Sequence, residues 1–270
     1  LNNAAIPWRE WIALLKSAAA TRRIPIMCFG PHEDVDAMTA ARSAGADVVL
    51  GRSRFTSDMP ALLQRYARIP DRHALASACA EPLSIGLHAV HRAGVLTGKT
   101  VLITGGGTIG SMCVIAARLA GAAQVMVCDI AERPLAIAQQ VGADRLIRSD
   151  QVDAASLADI ADISIEAAGS PAALATCLAA TRRGGRIVQV GTLPAEGVQF
   201  PANSIMAREL DYVGAFRAAH AFDWAVQYLR TRRVDVRPLL SAQLPLSRAA
   251  EAFALAADRS RSTKVQLVCD

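Results

Sequence analysis

The chain has 270 residues, 52% of them hydrophobic and 4% aromatic, and a net charge of +5 at pH 7. That length allows one large domain or two modest ones. An apolar mass of Ala, Val, Leu and Ile suits a parallel α/β core and excludes a disordered chain. No run of about 18 apolar residues occurs, so no transmembrane span and no membrane partner are expected.

The start, LNNAAIPWREW, lacks a basic stretch followed by an apolar core, so no secretory signal is read. Residue 1 is Leu rather than Met, and the chain is expected to begin within a gene or to have been processed. Residues 1–66 then read as helix, strand, helix, strand, helix. Trp11–Ala20 is helical, Ile24–Phe29 is a short buried strand, and Glu33–Ala44 is a helix with Gly45 past its end. Asp47–Leu50 is a strand and Ser57–Tyr66 a helix. The stretch ARIPDRHALA, with its proline and charges, begins a linker and connecting helix over 67–97.

Residues 98–215 alternate strand and helix. Strands are expected at 100–104, 124–129, 162–166, 185–190 and 210–215, and helices at 108–121, 131–141 and 171–181. Such alternation argues for a parallel sheet with right-handed crossovers and both faces covered. Residues 216–270 add helices near 219–231 and 247–257 and a last strand, Lys264–Val268. No repeat of 20–50 residues is read.

Within this region TVLITGGGTIGSMCVIAARLAGAAQVMVCD carries the clearest chemistry. An apolar run ends in Thr104, and Gly105, Gly107 and Gly110 follow in the spacing G-x-G-x-x-G. A helix and a second apolar run ending in Asp129 come next. That order is what a Rossmann-type dinucleotide-binding unit requires. Gly105 permits the tight turn, Gly107 lets backbone N–H groups reach the pyrophosphate, and Gly110 lets the helix pack closely. The helix start at Thr108 and Ile109 offers unpaired N–H groups and the positive end of a dipole. Asp129 is placed to accept ribose hydroxyls and repel a 2′-phosphate, favouring NAD over NADP. Arg133, one turn on, could flank the adenine, admit NADP, or lie on the surface. Ala167–Gly169, with Ala168, and Val190–Thr192, with Gly191, follow later strands and are further coenzyme candidates; ordinary glycine turns are the alternative.

The cysteines, at 28, 79, 113, 128, 177 and 269, form no CxxC pair and suit a reducing cytoplasm, with Cys113 and Cys128 read as inert core. Arginines at 182–183 and at 230, 232, 233 and 237 lack interleaved aromatics, so solvated arginines are expected and no nucleic acid.

EPLSIGLHAVHRAG (81–94), the glycine segment, CDIAERPLAIAQQVGAD (128–144), EAAGSPAAL (166–174), GGRIVQVG (184–191), ELDYVGAFR (209–217) and STKVQLV (262–268) occur in this order. Together they resemble the coenzyme half of the zinc-type medium-chain alcohol and polyol dehydrogenase family, in its L-idonate 5-dehydrogenase and sorbitol dehydrogenase branch. The likeness covers about 74–270. It implies NAD at Gly105, Gly107, Gly110 and Asp129, and places 190–192 and 215–217, with Phe216 and Arg217, by the nicotinamide. It also implies zinc for the family, with Glu81 at the zinc site, and pairing of two coenzyme sheets along the strand at 210–215. The family's zinc-ligand motifs do not occur in residues 1–73. A catalytic zinc takes about three protein ligands. His88 and His91 are spaced i, i+3, but such histidines are more often hydrogen-bonded core, and no metal site is assigned.

Residues 24–63 resemble the second half of a two-component receiver domain, with Arg52-Ser53 where that strand ordinarily ends in Lys-Pro. The acidic half is not encoded, so no phosphotransfer is expected. Two functional readings follow. One is an NAD-dependent dehydrogenase, or the module of one, acting on a secondary alcohol of a polyol or sugar acid. The other is a catalytically inactive NAD-binding protein or fusion remnant with a receiver-like docking segment. Self-association as a homodimer is expected in either.

Overall fold

The computed structural model describes residues 7–17, 26–58, 78–258 and 260–268. The chain divides into two units, 1–69 with 269–270, and 70–268.

The first unit runs α1 (Trp8–Ser17), β1 (Met27–Gly30), α2 (Val35–Ser43), β2 (Val48–Gly51) and α3 (Arg52–Ser57). β1 and β2 are parallel, with Met27 opposite Val48 and Gly30 opposite Gly51. Asp34 caps α2, its carboxylate accepting the Ala37 N–H. Ile12, Ala41 and Val49 form a small core against which Trp8, Ile26, Cys28 and Met38 lean. The strand–helix–strand–helix order read in the sequence is present. The last helix begins at Arg52 rather than Ser57, and the rest of the expected 57–66 helix lies outside the described residues, as does the end of 11–20.

The second unit opens with α4 (Ala80–Ala93), followed by β3 (Thr100–Thr104), α5 (Thr108–Leu119), β4 (Gln124–Asp129), α6 (Glu132–Gln140) and β5 (Arg145–Arg148). Next come β6 (Ala161–Glu166), α7 (Pro171–Ala180), β7 (Thr181–Gln189), α8 (Ala202–Ala207), β8 (Asp211–Gly214) and α9 (Ala221–Arg230). The chain closes with β9 (Leu240–Pro245), α10 (Ala249–Ala257) and β10 (Lys264–Val268). Six strands form one all-parallel sheet in the order β5-β4-β3-β6-β7-β8. β9 and β10 form a separate parallel pair.

Alternation along the central strands explains why both faces are buried. Val101, Ile103, Val125 and Val127 join one core with Leu83, Met112 and Leu135. Leu102, Met126 and Cys128 join another with Ile147 and Leu157. Strands buried on both sides therefore read as unbroken apolar runs. α4 comes close to α5 because residue 86 is glycine; a Cβ there would lie 2.6 Å from the Met112 carbonyl carbon.

Two strands were not expected. β5, RLIR, is an edge strand whose arginines hide its apolar centre, and the β9 segment ends in a proline. β7 starts at Thr181, earlier than 185, because Thr181 pairs with Ala161 before a register shift. No helix among the described residues is long and apolar enough to cross a membrane. Cys79, Cys113, Cys128 and Cys177 are buried free thiols, and burial pushes Cys113 up to about 12.

Candidate coenzyme site

The order of strands reverses direction between β3 and β6, which leaves a crevice beyond their carboxyl ends. Register brings those ends level. Thr104 lies opposite both Cys128 and Glu166, Glu166 opposite Gln189, and Gln189 opposite Gly214. The turns after β3, β4, β6, β7 and β8 therefore border one row, and every coenzyme candidate except Arg133 lies on one of them, at the end of β4 (Asp129) or in the first turn of α5 (Thr108, Ile109 and Gly110).

The glycine turn is fixed by contacts a side chain would break. Gly105 has φ +92°, and a Cβ there would lie 2.8 Å from the Ala168 nitrogen across the crevice. A Cβ at Gly110 would fall 1.7 Å from the Gly105 carbonyl oxygen, so this glycine clears the turn itself rather than the strand. Gly107 is different: among the described residues nothing lies within 4 Å of where its Cβ would be. It precedes α5, which begins with no side-chain cap. The first-turn N–H groups of Thr108 and Ile109 have no partner within the helix, and the dipole's positive end faces the same opening. The Thr108 hydroxyl is turned elsewhere, donating to the Thr263 carbonyl at 2.7 Å.

Asp129 ends β4 beside this turn. One carboxylate oxygen accepts the Gly106 N–H at 2.7 Å and the other the Ala131 N–H at 2.9 Å. Each oxygen retains a lone pair for a ligand hydroxyl. Ile130, next to it, is 72% exposed, an apolar surface that sequence reading passed over; its signal was an aliphatic residue following the terminal acid of the strand. Arg133 donates from Nη2 to the Ser241 hydroxyl in β9 at 3.2 Å, and its buried Nε has no partner among the described residues.

On the other side of the reversal, Gly169 and Gly191 are in mutual contact. A Cβ on Gly191 would lie 2.3 Å from the Gly169 nitrogen, and one on Gly169 would lie 2.6 Å from the Thr192 carbonyl oxygen. Val190 is half-buried against the main core. After β8, Phe216 is 78% exposed, with the Arg217 guanidinium 5.1 Å from its ring centre. Arg217 and Ala219 both have left-handed backbone, φ 53° and 42°, a strained bend.

Glu81 is exposed in the first turn of α4. His88 is half-buried and its imidazole is held below the ordinary value by burial, then by Arg92, His91 and His220. His91 meets Trp224 edge to face at 5.7 Å. Among the described residues no three His, Cys, Asp or Glu side chains gather as a metal ligand set, so Glu81, His88 and His91 do not fit a zinc. The arginines read as solvated are engaged locally: Arg182 with Asp162 at 3.1 Å, Arg237 with Asp235 at 2.6 Å, and Arg233 over Tyr228.

Residues 108–231 match the family model described as zinc-binding dehydrogenase. The L-idonate 5-dehydrogenase (NAD(P)(+)) of Escherichia coli K12 is 38% identical over 194 residues, 71% of this chain and 56% of that one. Its crystal structure superposes with a TM-score of 0.68. Sorbitol dehydrogenase of Gallus gallus is 37% identical over 198 residues, 70% of this chain and 55% of that protein. A protein of Sinorhizobium meliloti 1021, described as a zinc-binding dehydrogenase and solved with NADP, is 29% identical with a TM-score of 0.67, over 73% of this chain and 59% of its own. The chain thus spans little more than half the length of the curated relatives it matches.

Proposed function

We propose that this chain, which belongs over residues 108–231 to the zinc-binding dehydrogenase family, is an NAD(H)-binding module and prefers NAD to NADP. The observation that carries the reading is the uncapped start of α5 beside an aspartate tethered by Gly106 and Ala131. The pyrophosphate sits on the N–H groups at Gly107, Thr108 and Ile109, where Gly107 itself presents no side chain. Asp129 takes the ribose hydroxyls, and Ile130 offers an apolar face to the adenine. A fixed carboxylate there opposes a 2′-phosphate. The turns at 167–169, 190–192 and 215–217 border the nicotinamide half.

For the whole protein the proposed activity is oxidation of a secondary alcohol of a polyol or sugar acid, with hydride passing to the nicotinamide. Zinc in this family supplies a Lewis acid for the alcohol oxygen. The described residues do not fit it, so they carry coenzyme binding and not that step. The same observation favours a second reading, a non-catalytic NAD-binding protein in which residues 1–66 dock a partner. Steady NADH production from sorbitol or L-idonate by the whole protein decides for the enzyme; NAD binding without turnover by the whole protein decides for the other.

Calorimetric titration tests the coenzyme reading. Asp129→Ala is expected to weaken NAD about tenfold to a hundredfold, the effect of one charged acceptor, and to narrow its margin over NADP. Equal or tighter binding of NADP by the unmodified chain overturns the preference.

A further inference from the structure

Glu166, the last residue of β6, is the only charged side chain among the described residues with no exposed surface. A buried carboxylate is costly unless hydrogen bonds replace its water. Among the described residues no cation pairs with it; backbone and amide donors satisfy it instead. Oε1 accepts the Ala168 and Gly169 N–H groups at 2.9 and 2.8 Å. Oε2 accepts the side-chain amide of Gln189. The Glu166 carbonyl oxygen accepts the Val190 and Gly191 N–H groups, both at 2.9 Å. The Gln189 amide also donates to the Gly191 carbonyl at 2.7 Å, and its oxygen accepts the Tyr212 hydroxyl at 2.9 Å. Burial and then the Glu166 charge push the Tyr212 phenol up, so it stays a donor.

The donors that Glu166 gathers lie on the two turns beyond β6 and β7. Satisfying strand ladders needs no carboxylate, and an apolar residue would end a buried strand at less cost. The fit is also tight: a Cβ at Gly191 would come within 2.6 Å of Oε2. Chain and carboxylate have therefore been shaped to each other at the reversal of the sheet.

We propose that Glu166 is a positioning residue: it holds 167–169 and 190–192 in the shape that receives the nicotinamide ring of the coenzyme, with Gln189 and Tyr212 extending the hold to the edge strand β8. The inference rests on the coenzyme reading above. It differs from that reading in assigning the place of the nicotinamide to a residue that never touches it.

ADP-ribose, which lacks the nicotinamide, separates positioning from general stability. The unmodified chain should bind NAD more tightly than ADP-ribose and should shift the emission of bound NADH. Glu166→Gln keeps one oxygen for the two backbone donors but turns an amide toward the Gln189 amide. It should hold ADP-ribose affinity within about twofold, lose about tenfold for NAD, and reduce the NADH emission shift. Adding Gln189→Glu restores a carboxylate–amide pair and should recover part of the loss. Tyr212→Phe, which keeps the ring packed on Phe200 at 4.9 Å, should move the NAD to ADP-ribose ratio the same way by about threefold; it serves if Glu166→Gln does not fold. An unchanged ratio in the folded variants, equal loss of both ligands, or equal affinities in the unmodified chain would overturn the proposal. An unmodified chain that binds neither ligand instead removes the coenzyme reading itself.

Discussion

The two units share one local device and differ in everything built around it. Gly45-Ala46-Asp47 and Gly142-Ala143-Asp144 each end a helix and start a strand. In the first, Ala46 N–H bonds the Ala41 carbonyl at 3.0 Å and Asp47 N–H bonds Ile26 at 2.9 Å; in the second, Ala143 bonds Ala138 at 2.9 Å and Asp144 bonds Val125 at 2.8 Å. Each glycine has left-handed backbone, φ +105° and +115°, the usual helix stop. Each aspartate accepts the N–H at the foot of the neighbouring strand at 2.7 Å and a cation from the preceding helix, Lys16 or Arg118. Beyond that the units part. Six strands with a reversal give the second unit a crevice and cores on both faces. Two strands give the first a core of three buried residues and no reversal among those described. A helix stop is a short-range property and recurs wherever its residues do. A ligand crevice needs the long-range order of a whole sheet.

The sharpest way to break this contrast is through glycines. Gly110→Ala drives a methyl into the Gly105 carbonyl, 1.7 Å away, with backbone on both sides. Overpacking that cannot relax costs about 3 kcal/mol, roughly 10 °C in the melting of the second unit. Gly45→Ala meets only the flexible Lys16 side chain, at 3.1 Å, and mainly carries the strain of its φ, about 1 kcal/mol. Calorimetry of both variants should show the larger fall for Gly110→Ala, with NAD binding lost in that variant alone. Equal falls would mean the turn of the second unit is no more constrained than the helix stop of the first.

Much of the second unit was legible because its strands are buried on both faces. TVLIT and QVMVCD stand at the expected positions, and the glycine turn and Asp129 meet as their spacing implies. What was not legible has physical reasons. RLIR reads as polar because an edge strand protects itself with charge. The Gly-Ala-Asp recurrence is too short and too widely spaced to read as a repeat. Glu166 ends the apolar run ADISIE, and a lone terminal acid looks like a strand leaving the core. Only the turns folding back over it reveal that it is enclosed. Arg133 was open between three roles, and its bond to Ser241 depends on a strand more than a hundred residues away, which local sequence cannot announce.

A second contrast concerns edges. β8 closes one side of the large sheet, and its outer N–H groups are a template for another strand. We propose that a second copy pairs there. Ala215 N–H bonds Gln189, so by alternation the Gly214 N–H faces outward, on the side where the Gly214 carbonyl accepts the Arg92 Nε–H at 2.9 Å. Gly214→Pro removes that donor and should weaken a dimer about tenfold. Val213, by comparison, packs on the main core, and a charge there would report on folding rather than pairing. Sedimentation equilibrium checks the proposal: one species at 28.5 kDa for the unmodified chain at micromolar concentration would exclude the dimer.

The smallest effect returns to the shared device. Asp47 has its carboxyl held below the ordinary range, first by the hydrogen bond from Lys16, then by the Ile26 N–H. The sign follows from that depression. The charged form is favoured by folding, so its contribution is complete above the unfolded value of about 3.9 and is lost as pH falls through the lower folded value. The loss should therefore appear only below about pH 4, and in the first unit, where Trp8 and Trp11 report on it. Asp47 is largely exposed, its side chain at 42%, so solvent and salt screen the pair and the effect stays small. Asp47→Asn keeps an oxygen for Ile26 but no charge for Lys16. An acid titration followed by tryptophan emission should lose its step below pH 4 in this variant and keep it in Asp144→Asn. Added salt should shrink the same step in the unmodified chain. If Asp47→Asn titrates as the unmodified chain does, the device in the first unit works through its backbone bonds alone and Lys16 contributes nothing to that unit's stability.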